Sequence, residues 1–194
     1  MKPHLAPNDL ILFYKYLDNA KVYFEYGSGG STYQASSREN IRQLFSVESD
    51  KEWVRKLQQN IQVDDKSKIT YFYNEMNTQP NTLGRPGPNS TPLQHKNYSN
   101  RIRTLTKAEQ QSIDLVFIDG RFRVACCLKC FDVITPECFI AFDDFLDRPH
   151  YHLVLDYYDI VDKTTDNRMV ILKKKKNVRA VPDALIQKYE LNYA

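Results

Sequence analysis

Long apolar runs are missing from this sequence: no window approaches the roughly 18 consecutive apolar residues that a membrane-spanning helix needs. Residues 1–19 also lack the basic start and apolar stretch of a secretory signal, so no membrane partner is expected and the cytoplasm is the expected location. Cysteine is scarce. The four stand at positions 126, 127, 130 and 138, three of them inside one predicted helix, which is poor geometry for a disulfide framework. Cys127-Leu-Lys-Cys130 has the spacing of half a zinc site without a second ligand pair, and the thiols are expected as small buried hydrophobes. A charge of one sign is missing too: 27 Lys and Arg against 24 Asp and Glu leave a net +3, too little to imply a polyanionic partner. The charge is uneven, with basic runs at 101–107 and 173–176 and an acidic stretch carrying Asp143, Asp144, Asp147, Asp156, Asp159, Asp162 and Asp166. The second basic run continues a predicted strand and reads as an edge kept soluble by charge, and without interleaved aromatics neither run argues for nucleic acid. Glycine is rare as well, six in 194 residues, yet three of the six fall within positions 27–30.

What the chain does have is bulky core material. With 42% hydrophobic residues, 13 Tyr and 10 Phe, residues 1–194 can form one domain that buries about 70% of its unfolded surface. Residues 10–17 follow Pro7 as a short amphipathic helix, capped by Asn8, with Leu10, Phe13, Tyr14 and Leu17 on one side. Apolar runs at 21–26, 44–47, 69–73, 113–118 and 138–142 read as strands, and a late run at 168–174 as another, paired in a hairpin. Helices are expected from Ser31, over 52–59 with Trp53, Val54 and Leu57 inward, over 122–133, from Tyr151, and over 181–191. Residues 74–100 hold four of the nine prolines and many Asn, Ser and Thr, and read as one long loop. Strands alternating with helices predict an α/β, Rossmann-like fold: a doubly wound, mostly parallel sheet with helices on both faces and a late antiparallel strand.

Residues 22–32, Val-Tyr-Phe-Glu-Tyr-Gly-Ser-Gly-Gly-Ser-Thr, turn a strand into a helix through the glycine cluster, an arrangement that lets a ligand approach the backbone. Thr32 stands where the dinucleotide fingerprint needs a small residue, which weakens a nicotinamide or flavin reading. The plain alternative is a glycine turn with Glu48 merely solvated. With Glu25, Gly27, Gly29 and Gly30 in place, the segment resembles the first motif, E-x-G-x-G-G-S, of the class I S-adenosylmethionine-dependent methyltransferases. The resemblance implies that Glu25, Gly27, Ser28, Gly29, Gly30, Ser31 and Thr32 wrap the methionine part of the cofactor. It also puts Glu48, with Ser49 beside it, on the ribose hydroxyls, Asn74 near the adenine, and Asp119 at the cofactor's far side.

Phe117-Ile-Asp-Gly120 and the later Asp143-Asp144 pair resemble the small-molecule and sugar O-methyltransferase branch, whose fourth motif reads F-I-D-G and whose fifth strand ends in a D-D or H-D pair. That likeness implies methyl transfer from S-adenosylmethionine to a hydroxyl of a sugar, glycan or similar polyol, with a rhamnose-type deoxyhexose as the example. It places the chain in host cytoplasm if it is viral, and leaves a homodimer open. Asp119 is the expected catalytic residue, with His150 as the alternative base of a metal-free site. Asp119, Asp143 and Asp144 are otherwise an oxygen-ligand set for Mg²⁺ or Mn²⁺, although acidic strand ends are also common as caps and solvated turns. Arg121, Arg123 and Arg148 are expected either to dock a polar acceptor or to pair with these aspartates. Two other functions stay open: N-methylation of RNA or protein, and a cofactor-binding partner subunit without turnover.

Overall fold

The computed structural model describes residues 1–63, 66–79, 82–165 and 168–193; Asp166, the last of the acidic stretch, lies outside them. Strands β1 (Val22–Tyr26), β2 (Gln43–Glu48), β3 (Ile69–Tyr73), β4 (Leu115–Ile118) and β5 (Phe139–Phe142) run parallel. They are followed by β6 (Tyr158–Lys163) and β7 (Val170–Lys174), an antiparallel pair whose β7 lies antiparallel to β5. The sheet order is β3-β2-β1-β4-β5-β7-β6. The chain therefore winds one way from β1 and the other way from β4, which makes the carboxyl ends of those two neighbours the topological switch point where such sheets bind ligands.

Helices α1 (Pro7–Leu17) and α2 (Gly30–Ser36) bring Leu12, Phe13, Leu17 and Ala35 against Tyr23, Leu44, Phe117 and Ile171 on one face. Phe13 is fully buried with its ring 4.7 Å from that of Phe117, a burial that contributes roughly 1.5–3 kcal/mol. The other face carries Phe24, Phe45, Val116 and Ile140 under Val124, Leu128 and Phe131, which belong to α6 (Arg123–Phe131). Burial on both faces is why the central strands read as unbroken apolar runs. The expected doubly wound sheet, its late antiparallel strand and the buried, unpaired state of all four cysteines are as the sequence implies. No helix among the described residues is long and apolar enough to cross a membrane.

Several local expectations change. Ala6, not Asn8, occupies the cap position of α1, because Pro7 fits the first helical turn where no amide hydrogen bond is needed. Leu12 is buried on that helix while Leu10 and Tyr14 are only half-buried. In α3 (Lys51–Asn60), which Asp50 caps by accepting from the Trp53 amide, Val54 and Leu57 point inward but Trp53 is 37% exposed. Residues 74–100 are not one loop. They contain α4 (Pro92–Ser99), opened by a reciprocal capping box between Thr91 and Gln94. A similar box between Thr106 and Glu109 opens α5 (Lys107–Ser112). Residues 149–156 form 3₁₀ turns rather than an α-helix, and α7 (Asp183–Tyr189) closes the chain.

Candidate active site

At the end of β1 the chain turns through Gly27, whose φ of +97° suits glycine; a Cβ there would lie 2.8 Å from the Gly120 backbone. A Cβ on Gly120, just after β4, would meet both the Tyr98 hydroxyl and the Gly27 amide, so the loops after β1 and β4 meet at the switch point with no space for a side chain between them. Gly29 is different. Among the described residues no atom lies within 4 Å of where its Cβ would stand, so this backbone faces open space, as a ligand-contacting loop must.

The polar residues of the loop face the other way. Glu25 is fully buried beneath it and accepts from Tyr23 Oη (2.8 Å), Ser31 Oγ (2.7 Å), Ser46 Oγ (2.6 Å) and Thr32 Oγ1. Ser28 Oγ joins the same network through Ser46 at 2.5 Å, and Trp53 Nε1 donates to Ser28 O at 2.8 Å. Glu25, Ser31 and Thr32 thus hold the loop from below instead of offering side chains to a ligand. Burial pushes the Glu25 carboxyl up to about 7 against the pull of its hydroxyl donors. A folded carboxyl that titrates above its unfolded counterpart gives stability that is complete at low pH and is lost as pH rises through the folded value. Glu25→Gln, which cannot ionise, is therefore expected to lose less of its thermal midpoint than the wild type between about pH 5 and pH 8. Parallel melting curves across that window would show that Glu25 is not the titrating group.

Glu48 ends β2 with its side chain buried at 7% exposure. Its carboxylate accepts from the Ser28 amide (3.1 Å), the Ser49 amide (2.6 Å) and hydroxyl (3.2 Å), and the Asp50 amide (3.0 Å). Gly84 lies directly against it, with room for a Cβ only 3.3 Å from Oε1. Asn74 sits at the neighbouring strand end as expected: its amide donates to Glu48 O at 2.7 Å, and its side chain donates to Gln94 O at 3.0 Å.

Across the switch point, Ile118 pairs with Phe142, so the residues that follow β4 and β5 come together. One carboxylate oxygen from each of Asp119, Asp143 and Asp144 lies within 4.8 Å of the others. Phe122, in the left-handed region at φ 55°, swings the chain into α6 and points Arg123 back at them. Arg123 is 7% exposed and donates to Gly120 O (3.0 Å), Asp119 O (3.0 Å), Asp119 Oδ1 (2.9 Å), Asp143 O (2.7 Å) and Asp144 Oδ2 (3.3 Å). Asp144 also accepts from Arg148 at 2.7 Å and Arg168 at 2.5 Å. Although burial alone would raise it, Arg123, Arg168 and Arg148 together hold the Asp144 carboxyl below the usual range. Asp143 goes the opposite way, pushed up to about 8 by burial and then by the negative neighbours Asp119 and Asp144; its Oδ1 is buried with no hydrogen-bond partner among the described residues. Asp119 is raised by desolvation too, with Arg123 opposing, and at 32% exposure it is the member of the trio that solvent reaches.

This donor set does not fit a resident divalent ion held by all three carboxylates. They converge as expected, but arginines occupy both oxygens of Asp144 and one of Asp119, so Arg123, Arg148 and Arg168 already supply countercharge to the cluster. Mg²⁺ needs near-octahedral oxygen ligands that such a cage withholds. Of the three arginines, Arg123 and Arg148 pair with aspartates, Arg148 also donating to Tyr151 Oη at 2.9 Å, and Arg121 donates to Leu83 O (2.9 and 3.1 Å) and Thr82 O (3.3 Å). His150 is exposed and edge-on to Tyr151 at 4.4 Å, and among the described residues no hydrogen bond ties it to the aspartates.

No protein-family model matches the sequence, and no curated protein matches it either. Solved structures do. A methyltransferase-like protein from Silicibacter pomeroyi superimposes with a TM-score of 0.82 at 23% identity, covering 98% of this chain and 97% of that one. The chain has the class I methyltransferase fold. A proposed O-methyltransferase from Klebsiella pneumoniae (TM-score 0.56, 16% identity, 90% and 84% covered) and a proposed caffeoyl-CoA O-methyltransferase from Staphylococcus aureus (0.53, 15%, 90% and 86%) share it.

The strand ends of β1, β2 and β4 bring the Gly27–Gly29 backbone, Glu48 and Asp119 around the switch point. The sequence reading missed three of its supports. Trp53 braces the glycine loop, Tyr98 closes on Gly120, and Arg168 reaches Asp144 from the β6–β7 hairpin. Only Trp53 carried a local sign, standing in the first turn after the Asp50 cap.

Proposed function

We propose that the chain uses S-adenosylmethionine to methylate a hydroxyl of a sugar, glycan or similar small polyol. One juxtaposition carries the reading: an open glycine backbone and a buried diol-type acceptor, Glu48, face a pair of carboxyls with raised proton affinity, Asp119 and Asp143, across one switch point. The cofactor, when bound, supplies a methyl group on a sulfonium. Asp119 would take the proton of the acceptor hydroxyl as the methyl passes from sulfur to that oxygen and S-adenosylhomocysteine leaves, and Asp143, its carboxyl pushed up by burial and by Asp119 and Asp144, would be the second proton site behind it. Arg123 fixes Asp119 by a 2.9 Å ion pair.

The lone Trp53, hydrogen-bonded to the loop at Ser28, should report S-adenosylhomocysteine binding by a change in its fluorescence. Glu48→Ala is expected to weaken that binding about tenfold or more, the loss of a charge-assisted hydrogen bond to a diol; unchanged affinity would remove Glu48 from the ribose site. The reaction itself is tested with labelled S-adenosylmethionine and a panel of glycans and small polyols, with and without chelator. A methyl ether plus S-adenosylhomocysteine, formed in chelator, is the expected result. Restoration of chelated activity by Mg²⁺ or Mn²⁺ would instead support the metal reading. Label on nitrogen of RNA or protein would support the N-methylating alternative, and cofactor binding without any product would support a partner subunit.

A further inference from the structure

Residues 82–85 cross the cofactor crevice from bank to bank. On the β2 side, Ser49 Oγ donates to Gly84 O at 3.1 Å, and Gly84 is seated so closely that a Cβ would lie 2.7 Å from Ser49 Oγ and 3.3 Å from Glu48 Oε1. On the β4 side, Arg121 holds the Leu83 and Thr82 carbonyls. Behind the crossing, the Gly87 amide donates to Met76 O at 3.1 Å and fixes the segment's base. Gly84 is buried in its seat, but the tip of the crossing is not held by packing among the described residues. Leu83 is 88% exposed, and it sits at φ 53°, a region leucine adopts at a cost. What holds it are the hydrogen bonds from Arg121 and Ser49. While it is in place, Gly84 lies over Glu48 Oε1, whereas Oε2 accepts from the Ser28 amide at 3.1 Å.

We propose that residues 82–85 are a strap, latched by Arg121, that occludes the nucleoside site and is displaced when the cofactor binds. The proposal rests on the reading of Glu48 as the ribose acceptor. A strap closed in about 90–99% of molecules would lower the apparent affinity about 10–100-fold relative to the open form. Arg121→Ala removes the latch, and Gly84→Ala blocks the seat from the opposite bank, so two changes in different segments should converge on one result.

The test mixes the intact wild type and both variants with S-adenosylhomocysteine by stopped flow, reading Trp53, and follows hydrogen–deuterium exchange of the strap amides. Both variants are expected to associate about tenfold or more faster and to bind correspondingly tighter with an unchanged dissociation rate. In the wild type, S-adenosylhomocysteine should speed exchange at Arg85, whose amide donates to Thr82 O at 3.2 Å in the closed strap. Equal association rates in all three proteins would overturn the strap and leave the cofactor reading standing. Faster dissociation from the variants, with slowed exchange on binding to the wild type, would overturn it as well, by making the segment a wall of the bound site. If none of the three proteins binds, the strap and the cofactor reading fall together.

Discussion

Asp119→Asn is expected to lower turnover about 10²–10⁴-fold while changing the affinity for S-adenosylhomocysteine no more than about threefold, because general-base action is lost and little else. The amide keeps the size of the side chain and an oxygen for Arg123, so the 2.9 Å contact that anchors position 119 has a replacement acceptor. It cannot take a proton. Asp143 and Asp144 are no substitutes: the first is 4% exposed and the second is bound by Arg123, Arg148 and Arg168. Product formation with labelled cofactor, together with calorimetric titration of S-adenosylhomocysteine, separates chemistry from binding. A variant with normal turnover would mean that the catalytic centre is misplaced.

The second large effect is on stability. Arg123→Met should cost about 3–5 kcal/mol, the range for removing one partner of a buried ion pair. Arg123, itself 7% exposed, serves carbonyls of Asp119, Gly120 and Asp143 as well as two carboxylates, so an apolar chain of similar length leaves buried acceptors on Asp143 and Asp144 unpaired. Asp119 and Asp143, whose carboxyls already titrate high, would be pushed further toward the protonated form. Urea unfolding measures the cost directly. A change under about 1 kcal/mol, the ordinary worth of an exposed pair, would show that the cage is not what holds the strand ends together.

The sequence carried the sheet well because the sheet is buried on both sides. The run at 69–73 is β3 to the residue, and the runs at 44–47 and 113–118 differ from β2 and β4 only at their ends. Between strands the signals were weaker but present. Thr91-Pro-Leu-Gln94 and Thr106-Lys-Ala-Glu109 both follow the capping-box pattern that starts helices, and the prolines and asparagines around the first obscured it. In β6, burial alternates from Tyr158 onward, a pattern of period two in a short stretch that also reads as the end of a helix. At the site, residue types were legible and directions were not. Glu25 shares a strand face with Tyr23, two residues earlier, and that alternation already placed its carboxylate under the loop. The arginine cage was harder to see, since Arg168 meets Asp144 across the β6–β7 hairpin, a contact that no local pattern encodes.

A crystal structure of the protein soaked with S-adenosylhomocysteine tests the central claim most directly. The expected density lies on the Gly27–Gly29 backbone with the ribose hydroxyls on Glu48 and the sulfur turned toward Asp119. Density for the nucleoside at any other place, or none under saturating ligand, would contradict it.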